Sequence, residues 1–223
     1  MVVGSHLVFN PQLIIYDLDG TLVDSLEDIA NSVNRTMAHF GLPRLPEEQV
    51  RQYVGTGARH LIRAMVPITT RFDEIFNYFL ADYDRHLTDK TTLYPGVAAT
   101  LERLKNKRQA VLSNKPTNLS EKIVTALKIA KYFSRVWGSD SGLPLKPDPT
   151  SLLKMLDELK IDADAALIVG DSPVDIEAGK RAGIKTCAVT YGLRDKGELV
   201  AACPSFMIDR FTDLQRIVAT AKV

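Results

Sequence analysis

The 223 residues carry 28 Lys and Arg against 27 Asp and Glu, a formal net charge of +1, with 45% hydrophobic and 25% charged residues. That balance marks an ordinary globular chain, large enough to bury a core, and it offers no bulk electrostatic attraction for nucleic acid or a membrane surface. Cys187 and Cys203 are too few for a disulfide framework, and no apolar segment is long enough to cross a bilayer.

Residues 1–6 lack a basic-then-apolar targeting pattern, so the expected location is the cytoplasm. Leu13 to Tyr16 is short, apolar and β-prone, which predicts a buried strand. It ends in Asp17-Leu18-Asp19-Gly20-Thr21, with Gly20 free to turn sharply. Ser25 is predicted to cap a helix, with Asp28 three residues on, and Leu26, Ile29, Ala30, Val33, Met37 and Phe40 recur at helical spacing until Gly41-Leu42-Pro43 stops them. Further helical patterns run over 47–53, 58–65 and 71–87, and no strand pattern appears between Asp24 and Thr92. From Tyr94 the pattern alternates. Helices are expected over 97–107, 117–129, 148–159, from Ser172-Pro173, and over 212–221. Strands are expected over 109–112, 135–138, 165–169, 186–189 and 206–208. Alternating strands and helices predict a doubly wound, Rossmann-like parallel sheet. The expected division is an α/β core of residues 1–23 and 93–223, with an all-helical cap inserted over 24–92. Cys187, in an apolar run, is expected to be a reduced core residue.

Several polar residues fall where such a sheet opens its ligand crevice, at the strands' carboxyl ends. Of the two carboxylates one residue apart, Asp17 and Asp19, one can attack an electrophile or bind a cation while the other passes a proton to a leaving group. An isolated Asp-x-Asp is equally suited to capping a turn. Ser113, ending a strand, can hydrogen-bond a phosphoryl oxygen, and the Asn114 and Lys115 amides point the same way. Lys146, in a proline-stiffened loop, can neutralise phosphoryl charge and hold a carboxylate ionised. Asp171 ends another strand and can coordinate a cation. Asp175 can bind it directly or through water, orient Lys146, or simply face the helix dipole.

In order, these segments resemble the four motifs of the haloacid dehalogenase superfamily: Asp17-Leu-Asp-Gly-Thr21, Ser113, Lys146 in Lys-Pro-Asp-Pro, and Gly170-Asp-Ser-Pro-Val-Asp175. Asp17 to Ser25 looks like its phosphatase branch with a cap inserted after the first strand, and Ser113-Asn114-Lys115-Pro116-Thr117 and Tyr191-Gly192 are similar to phosphoglycolate phosphatases. The resemblance covers about 13–218 and implies the haloacid dehalogenase fold and an Mg²⁺-dependent phosphomonoesterase. Asp17 would be the nucleophile, Asp19 the acid and base, and Lys146 the charge stabiliser. Gly20, Thr21, Ser113, Asn114 and Lys146 would bind phosphate. Asp17, the Asp19 carbonyl, Asp171 and, directly or through water, Asp175 would hold the metal. Hard oxygens without a His or Cys cluster favour Mg²⁺.

Within the cap, Gly55-Thr56-Gly57-Ala58-Arg59 resembles the Gly-x-Gly loop of phosphoglycolate phosphatases, although Thr56 stands where Asn is common. Its amides, with Arg59, could take a substrate carboxylate; an ordinary helix-helix turn with a solvated arginine is the alternative. The expected partner is a small-molecule phosphate ester, with no nucleic acid or membrane, and the chain is expected to be a monomer or homodimer. Asp19 argues against dehalogenation, which in this superfamily lacks the second Asp. A sugar-phosphate phosphatase or pyrophosphatase shares the scaffold. A β-phosphoglucomutase would carry a histidine early in the cap, absent from Asp24 to Glu27. A non-catalytic phosphate-binding protein would have lost Asp17, Asp19 or Lys146. Asp24-Ser25 and Thr92-Leu93-Tyr94 are the expected hinges.

Overall fold

The computed structural model describes residues 9–218. Strand β1 (Leu13–Tyr16) is followed by a two-residue strand β2 (Val23–Asp24) and helices α1 (Leu26–His39), α2 (Glu47–Arg51), α3 (Ala58–Met65) and α4 (Phe72–Arg85). Strand β3 (Thr92–Leu93) then leads into α5 (Val97–Arg103), β4 (Arg108–Leu112), α6 (Thr117–Ala126), β5 (Arg135–Trp137) and α7 (Thr150–Leu159). The chain finishes through β6 (Ala166–Gly170), α8 (Pro173–Arg181), β7 (Lys185–Val189), α9 (Lys196–Ala201), β8 (Phe206–Ile208) and α10 (Leu214–Ile217).

Six strands form one parallel sheet in the order β5-β4-β1-β6-β7-β8. The chain crosses from β1 to β4 and β5 on one side, then returns to lay β6, β7 and β8 on the other, so β1 stands at the switch point where open α/β sheets bind ligands. Strand β1 is buried on both faces, as its unbroken apolar run requires. Leu13 and Ile15 pack with Leu152, Met155 and Leu156 of α7 and Ala178 of α8. Ile14 and Tyr16 face the other way, into a cluster that includes Leu101 of α5 and Ile123 of α6. That second cluster continues without a break into Val33, Ile62 and Phe79 of the helical insertion. Cys187 is a buried free thiol, and burial pushes its pKa up to about 12.

The insertion between β2 and β3 is all helical, as expected, but the crossings themselves are not bare hinges. Val23 pairs with Leu93 and Asp24 with Thr92 as an antiparallel ribbon. Ser25 does not cap α1. Its hydroxyl instead donates to Asp19 Oδ1 at 2.5 Å. Asp28 closes no capping box either: its carboxylate accepts from the Lys90 and Thr91 amides and the Thr91 hydroxyl, tying α1 to the return crossing.

Helices α2, α4, α5 and α6 stop short of their expected ranges, because the last turns tighten to i−3 bonds such as Lys105 to Glu102 and Lys128 to Thr125. Helix α7 starts at Thr150, one residue after Pro149, its expected first helical residue, with Asp148 accepting from the Thr150 amide at 2.9 Å. Ser172 and Pro173 open α8 as expected, and Asp175 completes a capping box there. The expected helix over 212–221 is shorter: α10 begins at Leu214 and stops before Val218, whose backbone is extended, while residues 219–221, like residues 1–6, lie outside those described.

Candidate active site

Register assembles the site. Tyr16 pairs with Val111 of β4 and Val169 of β6, so Asp17, Ser113 and Asp171 leave three adjacent strands at nearly one level. Asp17 donates its own amide to Val169 O at 2.9 Å, which fixes its start point. Its Oδ1 accepts from Lys146 Nζ at 2.9 Å. The same ammonium donates to Leu112 O at 2.8 Å and to Asp175 Oδ1 at 2.6 Å, so all three of its protons are placed.

Burial shapes the electrostatics. It raises the Asp17 carboxyl to about 7, with Lys146 pulling the other way and the Asp175 and Asp19 charges adding to the rise. Burial, then Asp17 and Asp175, raise Asp171 to about 8, against the Leu193 amide donated at 2.7 Å. For Lys146, burial opposes the charge, but Asp17 and Asp175 outweigh it and hold its pKa above the ordinary range. Oxygens of Asp17, Asp171 and Asp175 lie within 4.8 Å of one another, all buried. Three buried carboxylates beside one fully engaged ammonium leave negative charge uncompensated. An all-oxygen donor set of that kind fits a hard divalent cation.

Other expected residues take more particular places. Asp19 turns its carboxylate away from that cluster, toward Ser25 and Lys115 Nζ, the latter 3.2 Å away. Gly20 makes the turn at φ +83°. Thr21 directs its hydroxyl at Asp171 Oδ1, 3.3 Å away. Ser113 Oγ accepts from the Lys115 amide at 3.2 Å and keeps its proton for another acceptor. The Asn114 side chain is consumed structurally: it donates to Gly55 O and Lys146 O and accepts from the Lys146 amide. Only its backbone remains for an anion. Both Asp175 oxygens are engaged, Oδ1 by Lys146 and Oδ2 by the Ser172 amide and hydroxyl.

In the insertion, Gly55 and Gly57 line a cavity of about 40 Å³ with Asp19, Asn114, Lys115 and Tyr83. Thr56 closes its own turn by donating to Tyr53 O at 2.6 Å. Arg59 departs from expectation. It lies outside the cavity, 59% exposed, paired with Asp73 and stacked on the Phe72 and Phe76 rings. The sequence held the reason: Ala58, Leu61, Ile62 and Met65 form the inward stripe of α3, and Arg59 falls off it.

The residues sequence reasoning missed are Ser25 and the Lys115 side chain. Lys115 is buried, with its ammonium 4.3 Å from the centroid of the Tyr83 ring and bonded to the Tyr83 hydroxyl. Burial lowers its pKa, against the pull of Asp19. Its place just past the end of β4, where the motif residues cluster, was the available signal.

A parallel sheet with carboxylates, a hydroxyl and a lysine at its switch point is a doubly wound α/β fold with a polar site at the carboxyl ends of its strands. The sequence profile of the haloacid dehalogenase-like hydrolases matches residues 14–189, and the chain belongs to that family. It is 38% identical over 209 residues to a phosphoglycolate phosphatase of Aquifex aeolicus, covering 93% of this chain and 96% of that one. It is 36% identical to phosphoglycolate phosphatase 1 of Pseudomonas aeruginosa, covering 92% and 78%. A crystal structure of a predicted phosphoglycolate phosphatase from Haemophilus somnus 129pt superposes with a TM-score of 0.86 at 32% identity, over 92% of this chain and 97% of that one.

Proposed function

We propose that the chain is an Mg²⁺-dependent phosphomonoesterase working through a phosphoryl group on Asp17, with 2-phosphoglycolate as its foremost substrate. The observation that carries this is the buried pairing of Asp17 with Lys146, itself pinned by Asp175 and Leu112. Lys146 fixes one oxygen of the Asp17 carboxylate, favours its ionised form against burial, and faces the phosphoryl charge. Asp17 and Asp171 would hold Mg²⁺, with the Asp19 carbonyl; the engagement of both Asp175 oxygens supports its role in orienting Lys146. When bound, the cation supplies positive charge to the phosphoryl oxygens.

Asp17 attacks phosphorus as the ester P–O bond breaks, and Asp19 gives its proton to the departing alcohol. Asp19, now a carboxylate, takes a proton from the water that attacks the Asp17 phosphoryl group. Phosphate leaves and both aspartates are restored. The Ser113 hydroxyl, with its proton uncommitted, is available to a phosphoryl oxygen. The insertion acts as a cap that excludes water and contacts the alcohol.

Phosphate release from 2-phosphoglycolate, sugar phosphates and pyrophosphate, with and without a chelator, tests this reading. The expectation is Mg²⁺-dependent turnover that strongly prefers 2-phosphoglycolate. Broad weak turnover would retain the chemistry and remove the substrate. Asp17→Asn, which removes the nucleophile, should lower kcat by about 10³-fold or more, and full turnover by it would overturn the mechanism.

A further inference from the structure

We propose that Lys115 is the residue that selects the substrate's alcohol, and that it selects a carboxylate. The preferred ester would carry that carboxylate on the same carbon that bears the ester oxygen. This inference rests on the phosphatase reading and adds the recognition that reading lacks now that Arg59 faces outward.

The argument begins with position. Asp19 protonates the departing alcohol, so whatever lies beyond its carboxylate, away from the acidic cluster, meets the alcohol. That neighbour is Lys115, 3.2 Å from Asp19 Oδ1. Its ammonium has three donors. Asp19 and the Tyr83 hydroxyl take two, and the third has no partner among the described residues. Among the described residues Lys115 is also the one cation lining the cavity between the insertion and the core. The rest of that lining is apolar or neutral apart from Asp19: Phe79, Leu61 and Leu119, the Gly55 and Gly57 backbone, and the Tyr83 hydroxyl.

The size of the space points the same way. At about 40 Å³ the space has room for about three waters, enough for a carboxylate and one carbon. A group of that size with its acidic end on Lys115 keeps the ester oxygen next to Asp19. Helix α3 opens at Gly57 and Ala58, which line this cavity, so the positive end of its dipole lies against this space and favours the same sign of charge. Tyr83 rides on α4, so the ammonium is braced by the insertion and by Asp19 of the core together. An alcohol lacking the carboxylate leaves one buried N–H without an acceptor.

The test compares kcat/KM for 2-phosphoglycolate and for ethyl phosphate, whose alcohol is neutral, in wild type, Lys115→Arg and Lys115→Met. The Lys115→Met change removes the charge and also disturbs Asp19, so both esters should suffer a common loss. The readout is their ratio. It should fall about 30-fold in Lys115→Met, the value of one charge-assisted hydrogen bond, and be partly restored in Lys115→Arg. An unchanged ratio would overturn the proposal and leave Lys115 as a support for Asp19. A measurement on wild type needs no variant: glycolate should inhibit at least tenfold more strongly than glycolamide, and equal inhibition would overturn the proposal equally. Wild type that hydrolyses neither ester would bring down the phosphatase reading itself, whereas turnover of both without discrimination would remove only the role of Lys115.

Discussion

At the turn after Asp19, a Cβ built on Gly20 would lie 2.2 Å from Asp171 Oδ2, and one on Gly192 would lie 2.3 Å from Asp171 Cβ. The two glycines thus form a slot for one carboxylate. Gly20→Ala forces a side chain into a left-handed conformation, at about 1–2 kcal/mol, and also pushes Asp171 out of the cluster. The expected result is a melting temperature lower by several degrees together with weaker Mg²⁺ binding by calorimetry; wild-type values for both would show that the turn relaxes freely. At this scale the sequence was informative where a residue's position alone sets its role. Asp17, Ser113 and Asp171 follow buried strands, so their side chains enter the crevice whatever the surroundings do. The Lys115 side chain is long, and its direction depends on Tyr83, brought in from a distant helix. Of the two readings open for Arg59, the solvated one holds, because the apolar stripe of α3 turns it outward.

Between elements, the contact that links insertion to site is a pair of arginines, each reaching across. Arg51, the last residue of α2, donates to Leu193 O at 2.9 Å and Gly192 O at 3.2 Å. Arg194 returns to the carbonyls of Arg51, Gln52 and Val54, at and just past the end of α2. Between the two arginines lies Leu193, whose amide holds Asp171. Docking of the insertion and placement of that carboxylate therefore share one loop. Replacing Arg194 with Ala removes charge-assisted bonds that hold α2 against this loop, so KM should rise about tenfold and amide exchange at α2 should quicken. An unchanged KM would mean that this pair does not govern how the insertion meets the site. The ribbon of β2 and β3 escaped the sequence because strands of two residues have no period to detect, and Val23 and Leu93 are separated along the chain by the whole insertion. The long amphipathic helices and buried strands were legible because their periodicity spans several turns or a full strand.

Across the whole molecule, the buried charge of the site couples stability to pH and to the metal. Without a cation, the folded protein holds Asp17 at about 7 and Asp171 at about 8, each raised first by burial. A carboxyl whose pKa is higher in the folded than in the unfolded chain binds its proton more tightly when folded. Its stabilising effect is fully present below the unfolded value, near 3.8, and is lost as pH rises through the folded value. The metal-free protein should therefore become less stable between about pH 5 and pH 8. A divalent cation competes with those protons and neutralises the ionised carboxylates, so its stabilising effect should grow over the same interval. Thermal unfolding in chelator and in saturating Mg²⁺, at pH 5.5 and pH 8, reads this directly: the gap between the two melting temperatures should be wider at pH 8. Asp171→Asn separates this site from every other titrating group, since the amide carries no charge at either pH. In that variant the chelated protein should lose less stability with rising pH than wild type does, and the gap opened by Mg²⁺ should shrink. A gap of equal size at both pH values in wild type, or one that Asp171→Asn leaves intact, would place the stabilising cation somewhere other than the carboxyl ends of β1 and β6.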